Sequence, residues 1–247
     1  MVSCVGLVKR FGDFTAVGGI SFEVPAGGIC AMVGANGAGK TTTLGMLTGT
    51  LEPTAGEAYV AGVDVRRDPL RLREVIGVVP DNLGLFDALT VDEHLELSAR
   101  VYRLDPRTAR ERSEQLLDLL SLEAAGDRFA ADCSHGMRKK LALAMAMLHN
   151  PAVLFLDEPF EGMDPVASAA VQDELKAAAG RGLTVVFTSH SLVLVEGLAE
   201  QVVFIHGGHV VADAAPDKLP KPLAQLYFET VGQSPGGRIT WLGSSQS

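Results

Sequence analysis

The sequence predicts an α/β fold: a largely parallel sheet covered by helices, with a helical lobe inserted mid-chain. Three observations carry this. Short apolar runs, such as Ile29–Val33, Ala152–Leu156 and Thr184–Thr188, alternate with segments of helical pattern, which is the signature of a parallel sheet. Between residues 85 and 149 three helical patterns follow one another. The chain has 247 residues, 47% apolar and 21% charged, enough for one large unit with a lobe and a sizeable core.

Taken in order, residues 2–24 alternate loosely and stop at the turn signal Pro25-Ala-Gly-Gly28. Ile29–Val33 reads as a buried strand. A Gly-rich loop follows, Gly34-Ala35-Asn36-Gly37-Ala38-Gly39, and Lys40–Leu47 reads as a helix. Glu52-Pro-Thr-Ala-Gly56 is a turn, and Glu57–Val63 and Val75–Val79 are strand candidates. Thr90-Val-Asp-Glu93 is a capping box, in which Thr90 and Glu93 satisfy the first helix amides reciprocally. Val91, Leu95, Ser98 and Tyr102 then share one helical face. A second helix spans roughly Arg107–Leu122, and a third starts near Met137 and runs through Ala146. After Asn150-Pro151 the pattern returns to Ala152–Leu156 as strand, Pro165–Ala179 as helix, Thr184–Thr188 as strand and Leu192–Leu198 as a short helix. Gln201–Ile205 and His209–Ala212 read as strands around the Gly207-Gly208 turn. Ser234–Ser247 is Gly- and Ser-rich and is expected to be a loose tail.

Charge and cysteine usage narrow the function. Lys+Arg 21 against Asp+Glu 30 leaves a net charge of −9, which disfavours sequence-independent nucleic-acid binding through phosphate neutralisation. Cys4, Cys30 and Cys133 have no zinc or redox spacing, and an odd count suits a reduced cytosolic chain. Met1–Arg10 lacks the apolar core of a signal peptide. A membrane span needs about 20 mostly apolar residues, and the two nearest stretches are broken by His149-Asn150-Pro151 and Ser189-His190-Ser191. Any work at a membrane therefore calls for another chain to cross it.

Three motifs carry chemistry. Gly34-x-x-x-x-Gly39-Lys40-Thr41 matches G-x-x-x-x-G-K-[ST], for which the residue frequencies give roughly a 1% chance match. Its glycines let backbone N–H groups curl around a phosphate at a helix N-terminus. Lys40 is suited to reach the β- and γ-phosphates and the Thr41 hydroxyl to hold Mg²⁺, with Thr42 beside it. Val153-Leu-Phe-Leu-Asp157-Glu158-Pro159 is an apolar strand ending in two carboxylates, where parallel sheets keep their sites. Alone it reads equally as a solvated acidic turn. Beside a phosphate loop, Asp157 is placed to hold Mg²⁺ and Glu158 to orient or deprotonate a water. His190 leaves the end of the Thr184–Thr188 strand. A lone histidine is most often structural, but here it is also suited to bond a γ-phosphate.

These residues, in this order, resemble the ATP-binding subunits of ABC transporters over about residues 3–232. The resemblance implies a P-loop NTPase (RecA-like) core at about 1–80 and 150–215. It adds an N-terminal antiparallel β subdomain, a helical subdomain at about 85–149, and a flexible tail at 233–247. Cys133-Ser-His-Gly-Met137 stands where the family signature caps the γ-phosphate of ATP held by the opposite subunit. Ser134 and Gly136 inherit that role, although Ser134 by itself reads as an ordinary N-cap. Phe11 matches the aromatic that stacks on adenine, although by itself it reads more readily as core. The resemblance further implies ATP and Mg²⁺ as cofactors and a head-to-tail homodimer or heterodimer with two shared ATP sites. It also implies transmembrane permease subunits that hold the chain on the inner face of the cell membrane. The Ser-His-Gly-Met-Arg-Lys-Lys140 run and the segment 223–232 look most like exporters of the drug, antibiotic and sodium efflux type.

The sequence departs from the family at three places. Asp81 replaces a usual Gln; it is still able to ligate Mg²⁺ but adds charge near the γ-phosphate. Cys133, His135 and Met137 alter the signature, and Glu161 replaces a small Ser in the loop at the dimer interface. These departures keep a second reading open, a nucleotide-gated subunit that hydrolyses weakly and needs a consensus partner. A soluble ABC ATPase of DNA repair or translation fits less well, since no heptad coiled coil, second cassette or basic excess is present.

Overall fold

The computed structural model describes residues 1–232, so the tail 233–247 lies outside the described residues. The chain opens with a hairpin, β1 (Val2–Phe11) and β2 (Phe14–Val24). β3 (Ile29–Val33), the Gly-rich loop and α1 (Lys40–Leu47) follow. Next come β4 (Ala55–Val60), β5 (Val63–Asp64), α2 (Pro69–Val75) and β6 (Ile76–Val79). The helical lobe is α3 (Val91–Val101), α4 (Pro106–Leu119) and α5 (His135–Leu148). The chain returns through β7 (Val153–Leu156), α6 (Pro165–Gly180), β8 (Thr184–Thr188), α7 (Leu192–Leu198), β9 (Gln201–His206), β10 (His209–Ala214) and α8 (Leu223–Val231).

Two sheets result. A four-stranded antiparallel sheet has the order β2-β1-β4-β5, and a six-stranded sheet has the order β10-β9-β3-β8-β7-β6. In the larger sheet every neighbouring pair from β9 to β6 is parallel, and only the β10–β9 edge is antiparallel. Its inner strands β3, β7 and β8 are buried on both faces, which is why they read as continuous apolar runs. Period-two alternation divides them between two cores. Ile29, Ala31 and Val33 of β3, with Leu154, Leu156, Val185, Phe187, Val202 and Phe204, pack with the lobe and α6. Cys30 and Met32, with Val153, Phe155, Val186, Val203 and Ile205, face α1 and the antiparallel sheet. Phe155, Phe187 and Phe204 are fully buried, and such burial contributes about 1.5–3 kcal/mol per side chain.

Local chemistry sets the element ends. The capping box forms as read: Thr90 Oγ1 accepts from Glu93 N and Glu93 accepts from Thr90 N at 2.8 Å. Asp105 and Asp164 cap α4 and α6, each followed by Pro at the first helical position. The structure also corrects boundaries. The strand read as Glu57–Val63 is two strands, because Ala61 (φ 50°) and Gly62 (φ 77°) turn the chain back on itself. α4 stops at Leu119, short of Leu122, with Ser121 in the left-handed region (φ 52°). α5 starts at His135 rather than Met137, directly after its cap Ser134. α2 had no sequence reading, since only Leu72 of its residues is buried and no apolar period is visible; its signal was Asp68-Pro69, the cap and first turn.

Parallel order places function. The loops leaving β3, β6, β7 and β8 emerge at one edge of the sheet. Those loops are the Gly-rich segment, Pro80-Asp81, Asp157-Glu158 and Ser189-His190.

Candidate functional site

The four loops line a cleft of about 440 Å³. Its floor is the start of α1. Gly39 is the residue before the helix and has φ 108°, a left-handed conformation that suits glycine. No side chain caps α1, so its first amides are available to an anion. Lys40 is 7% exposed and folds back, donating from Nζ to the Gly34 carbonyl at 2.8 Å and the Ala35 carbonyl at 3.0 Å. Burial lowers its pKa, and Glu158 and Asp157 oppose that by stabilising the charge. Two carbonyls are a weak counterpart for a buried ammonium, and a phosphate is a stronger one.

The acidic side is built on β7 and β8. Asp157 is buried and accepts a hydrogen bond from Thr188 Oγ1 at 2.5 Å. Glu158 lies at φ 47°, a strained conformation for a side-chain-bearing residue. Its N–H donates to Thr188 Oγ1 at 3.0 Å, and its Oε2 accepts from His190 N at 3.2 Å. His190 Nε2 lies 3.0 Å from Oε1, but off hydrogen-bond geometry. Buried Oε1 thus has no hydrogen-bond partner among the described residues and keeps its acceptor capacity. Burial raises the Glu158 pKa, and His190 and Lys40 partly offset this. A carboxylate with a raised pKa and a free acceptor in a cleft is suited to general-base chemistry.

Of the residues singled out from sequence, Phe11, Asn36, Gly37, Gly39, Lys40, Thr41 and Thr42 line this cleft, facing Asp81, Asp157, Glu158 and His190. Gly34, Ala35 and Ala38 form the loop beneath it; Ala38 N donates to Ala35 O at 3.1 Å and Gly34 and Ala35 receive Lys40. Ser134 and Gly136 do not line it. Ser134 is exposed at the start of α5, where its Oγ accepts from Met137 N at 3.3 Å.

Sequence reasoning missed three contributors. Phe14 pairs with Phe11 across the hairpin end, and both rings are about half exposed or more, at 65% and 49%. Two aromatics around Gly12-Asp13 were the available signal. Glu161 lines the cleft itself, although its sequence position suggested only a dimer surface. Thr188, which holds both Asp157 and the Glu158 amide, looked like an ordinary strand residue.

Thr41, Asp81 and Asp157 offer hydroxyl and carboxylate oxygens in one cleft, the donor class of Mg²⁺. Among the described residues no three His, Cys, Asp or Glu side chains group to hold a metal alone.

Residues 17–161 match the family model described as ABC transporter. The chain is 38% identical over 230 residues to a daunorubicin resistance ATP-binding protein of Streptomyces coeruleorubidus, covering 93% of this chain and 71% of that protein. It is 36% identical over 219 residues to a Nod factor export ATP-binding protein I of Ralstonia nicotianae, covering 89% and 68%. Its fold matches a solved ATP-binding subunit of an ABC transporter at TM-score 0.88 and 28% identity, covering 94% of this chain and all of that one. A dimeric bacterial ABC transporter cassette shares the fold at TM-score 0.80 and 23% identity, covering 87% and 98%. Motif order, fold and these relatives agree, and the chain belongs to the ABC transporter family.

Proposed function

We propose that this chain binds and hydrolyses Mg-ATP as the energising subunit of an exporter. The observation that supports it best is the single cleft in which the phosphate loop faces the partly buried Glu158, with His190 beside it. In this reading Phe11 and Phe14 hold the adenine ring, and the α1 amides and Lys40 hold the phosphates. Lys40 exchanges two carbonyls for the β- and γ-phosphate oxygens. Thr41, Asp157 and Asp81 hold Mg²⁺, which when bound neutralises phosphate charge. The Glu158 carboxylate orients a water and accepts its proton, and His190 keeps Glu158 in place while donating to the γ-phosphate. Ser134 and Gly136 act on the nucleotide of a second subunit.

The relatives named for drug resistance and Nod factor export favour export over import. Among the described residues no helix is long and apolar enough to cross a membrane, so transmembrane permease subunits complete the transporter and hold this chain at the inner membrane face. We place their contact on the groove between the lobe and the wall formed by Thr48, Thr50, Arg73 and β6, where Phe86 and Val101 are 59% and 67% exposed.

A second reading has a specific observation behind it. Asp81, Asp157, Glu158 and Glu161 bring four carboxylates to the cleft against Lys40. Such charge opposes a tetra-anionic nucleotide, as expected of a slow subunit that relies on a consensus partner.

Gel filtration of Glu158→Gln tests the ATP-driven association. With Mg-ATP the variant is expected to elute as a stable dimer, and without nucleotide as a monomer. A monomer under both conditions contradicts the shared-site reading.

A further inference from the structure

Among the largest fully buried side chains of the described residues, Lys139 is the one that carries a charge, and it is 1% exposed. Burying an ammonium costs several kcal/mol unless it is paired and hydrogen-bonded. The carboxylate facing it, Glu161 Oε2, is 3.8 Å away on a side chain that is 62% exposed. That is too long for a hydrogen bond and too wet for a strong pair. At close range Lys139 meets backbone instead: Nζ donates to the Glu158 carbonyl oxygen at 2.5 Å. The catalytic scheme above gives this lysine no role.

Glu158 is a position where a held carbonyl has consequences. With φ at 47°, a residue bearing a side chain costs about 1–2 kcal/mol relative to ordinary backbone. Such a conformation persists only where its surroundings over-determine it. Here the N–H is held by Thr188 Oγ1 and the carboxylate by the His190 amide, both from the β8 side. The carbonyl accepts from Lys139 Nζ of α5 on the opposite side and, more weakly, from the Glu161 N–H of its own loop at 3.3 Å.

α5 grips the same loop at two more points. Lys140 Nζ lies 2.7 Å from Asp164 Oδ2. Gly136 approaches Gly162 so closely that a Cβ added to it would sit 2.3 Å from the Gly162 carbonyl oxygen. The first turns of α5 and the loop 158–164 therefore form one packed piece, with Ser134 at its exposed end.

We propose that Lys139 is a positioning residue for the Glu158 carboxylate, holding the Glu158 backbone in its left-handed conformation and tying it to the N-terminal turns of α5. The proposal rests on the reading of Glu158 as the base. On that reading Ser134 meets the second subunit's nucleotide, so the tie also carries the presence of that nucleotide to the water-activating group of this chain's own cleft.

The test measures kcat, KM and ATP affinity of the full chain for Lys139→Met, Lys139→Gln and Glu158→Gln, with a melting curve for each. Lys139→Met keeps the stem and removes the donor, so kcat is expected to fall on the order of 100-fold, with KM and affinity changed less than about twofold. Lys139→Gln retains an uncharged N–H donor and is expected to recover about tenfold of that loss. Loss in the Met variant with recovery in the Gln variant supports the proposal. Unchanged kcat in Lys139→Met overturns it, as does a loss of kcat that follows melting temperature and KM in both variants. Turnover that survives Glu158→Gln, or no turnover by the unsubstituted chain, overturns the reading of Glu158 and this proposal with it.

Discussion

At the scale of single residues, Glu158 is pulled two ways. Burial raises its pKa above the ordinary 4.5, while His190 and Lys40 stabilise its charge. A carboxyl whose folded pKa is raised holds its proton more tightly folded than unfolded. Its contribution to stability is full below 4.5 and is lost as pH rises through the raised value. Glu158→Gln cannot ionise, so it is expected to melt above the unsubstituted chain at pH 8, with the gap narrowing as pH falls toward 4.5. A gap independent of pH between those values contradicts the assignment. The same shift places the acid limb of turnover above the range of an exposed glutamate. Asp81 makes a separate prediction. If its charge opposes the γ-phosphate, Asp81→Gln raises kcat on the order of 10-fold, about 1.4 kcal/mol of barrier. Steady-state rates at saturating Mg-ATP decide this, and an unchanged or lower rate assigns Asp81 a useful metal contact instead.

At the scale of elements, the chemistry-bearing termini were legible and the polar ones were not. β3, β7 and β8 could be read because both of their faces are buried, which leaves an unbroken apolar run ending at the site. Asp157, Glu158 and His190, which follow those runs, are thereby legible as neighbours at one sheet edge. α2 was invisible because it buries only Leu72, and the end of β4 was misplaced because the Ala61-Gly62 turn lies inside a strand-like stretch. Lys139 was unreadable for another reason: its partner is a backbone carbonyl 19 residues away, and no spacing rule reports such a contact. The capping box does test a local reading. Thr90 Oγ1 holds Glu93 N at the start of α3, so Thr90→Ala is expected to destabilise the chain by about 1 kcal/mol. Urea denaturation measures this, and a change below about 0.3 kcal/mol means that the lobe takes its stability from packing alone.

At the scale of the whole molecule, the proposed function has each chain supply half of each site. The chain's cleft holds the phosphate loop, Glu158 and the aromatic hairpin end, while Ser134 and Gly136 lie outside that cleft. The exposure of Ser134 leaves it accessible to a second chain, as the proposed function requires. The central claim is thus that this chain hydrolyses Mg-ATP through Glu158 in sites shared between two subunits. The measurement that tests it most directly is Mg-ATP turnover per chain against protein concentration, run beside Glu158→Gln. The account predicts specific activity that rises with concentration to a plateau, and a fall on the order of 1,000-fold in the variant. Specific activity that is flat with concentration, or that survives Glu158→Gln, contradicts it.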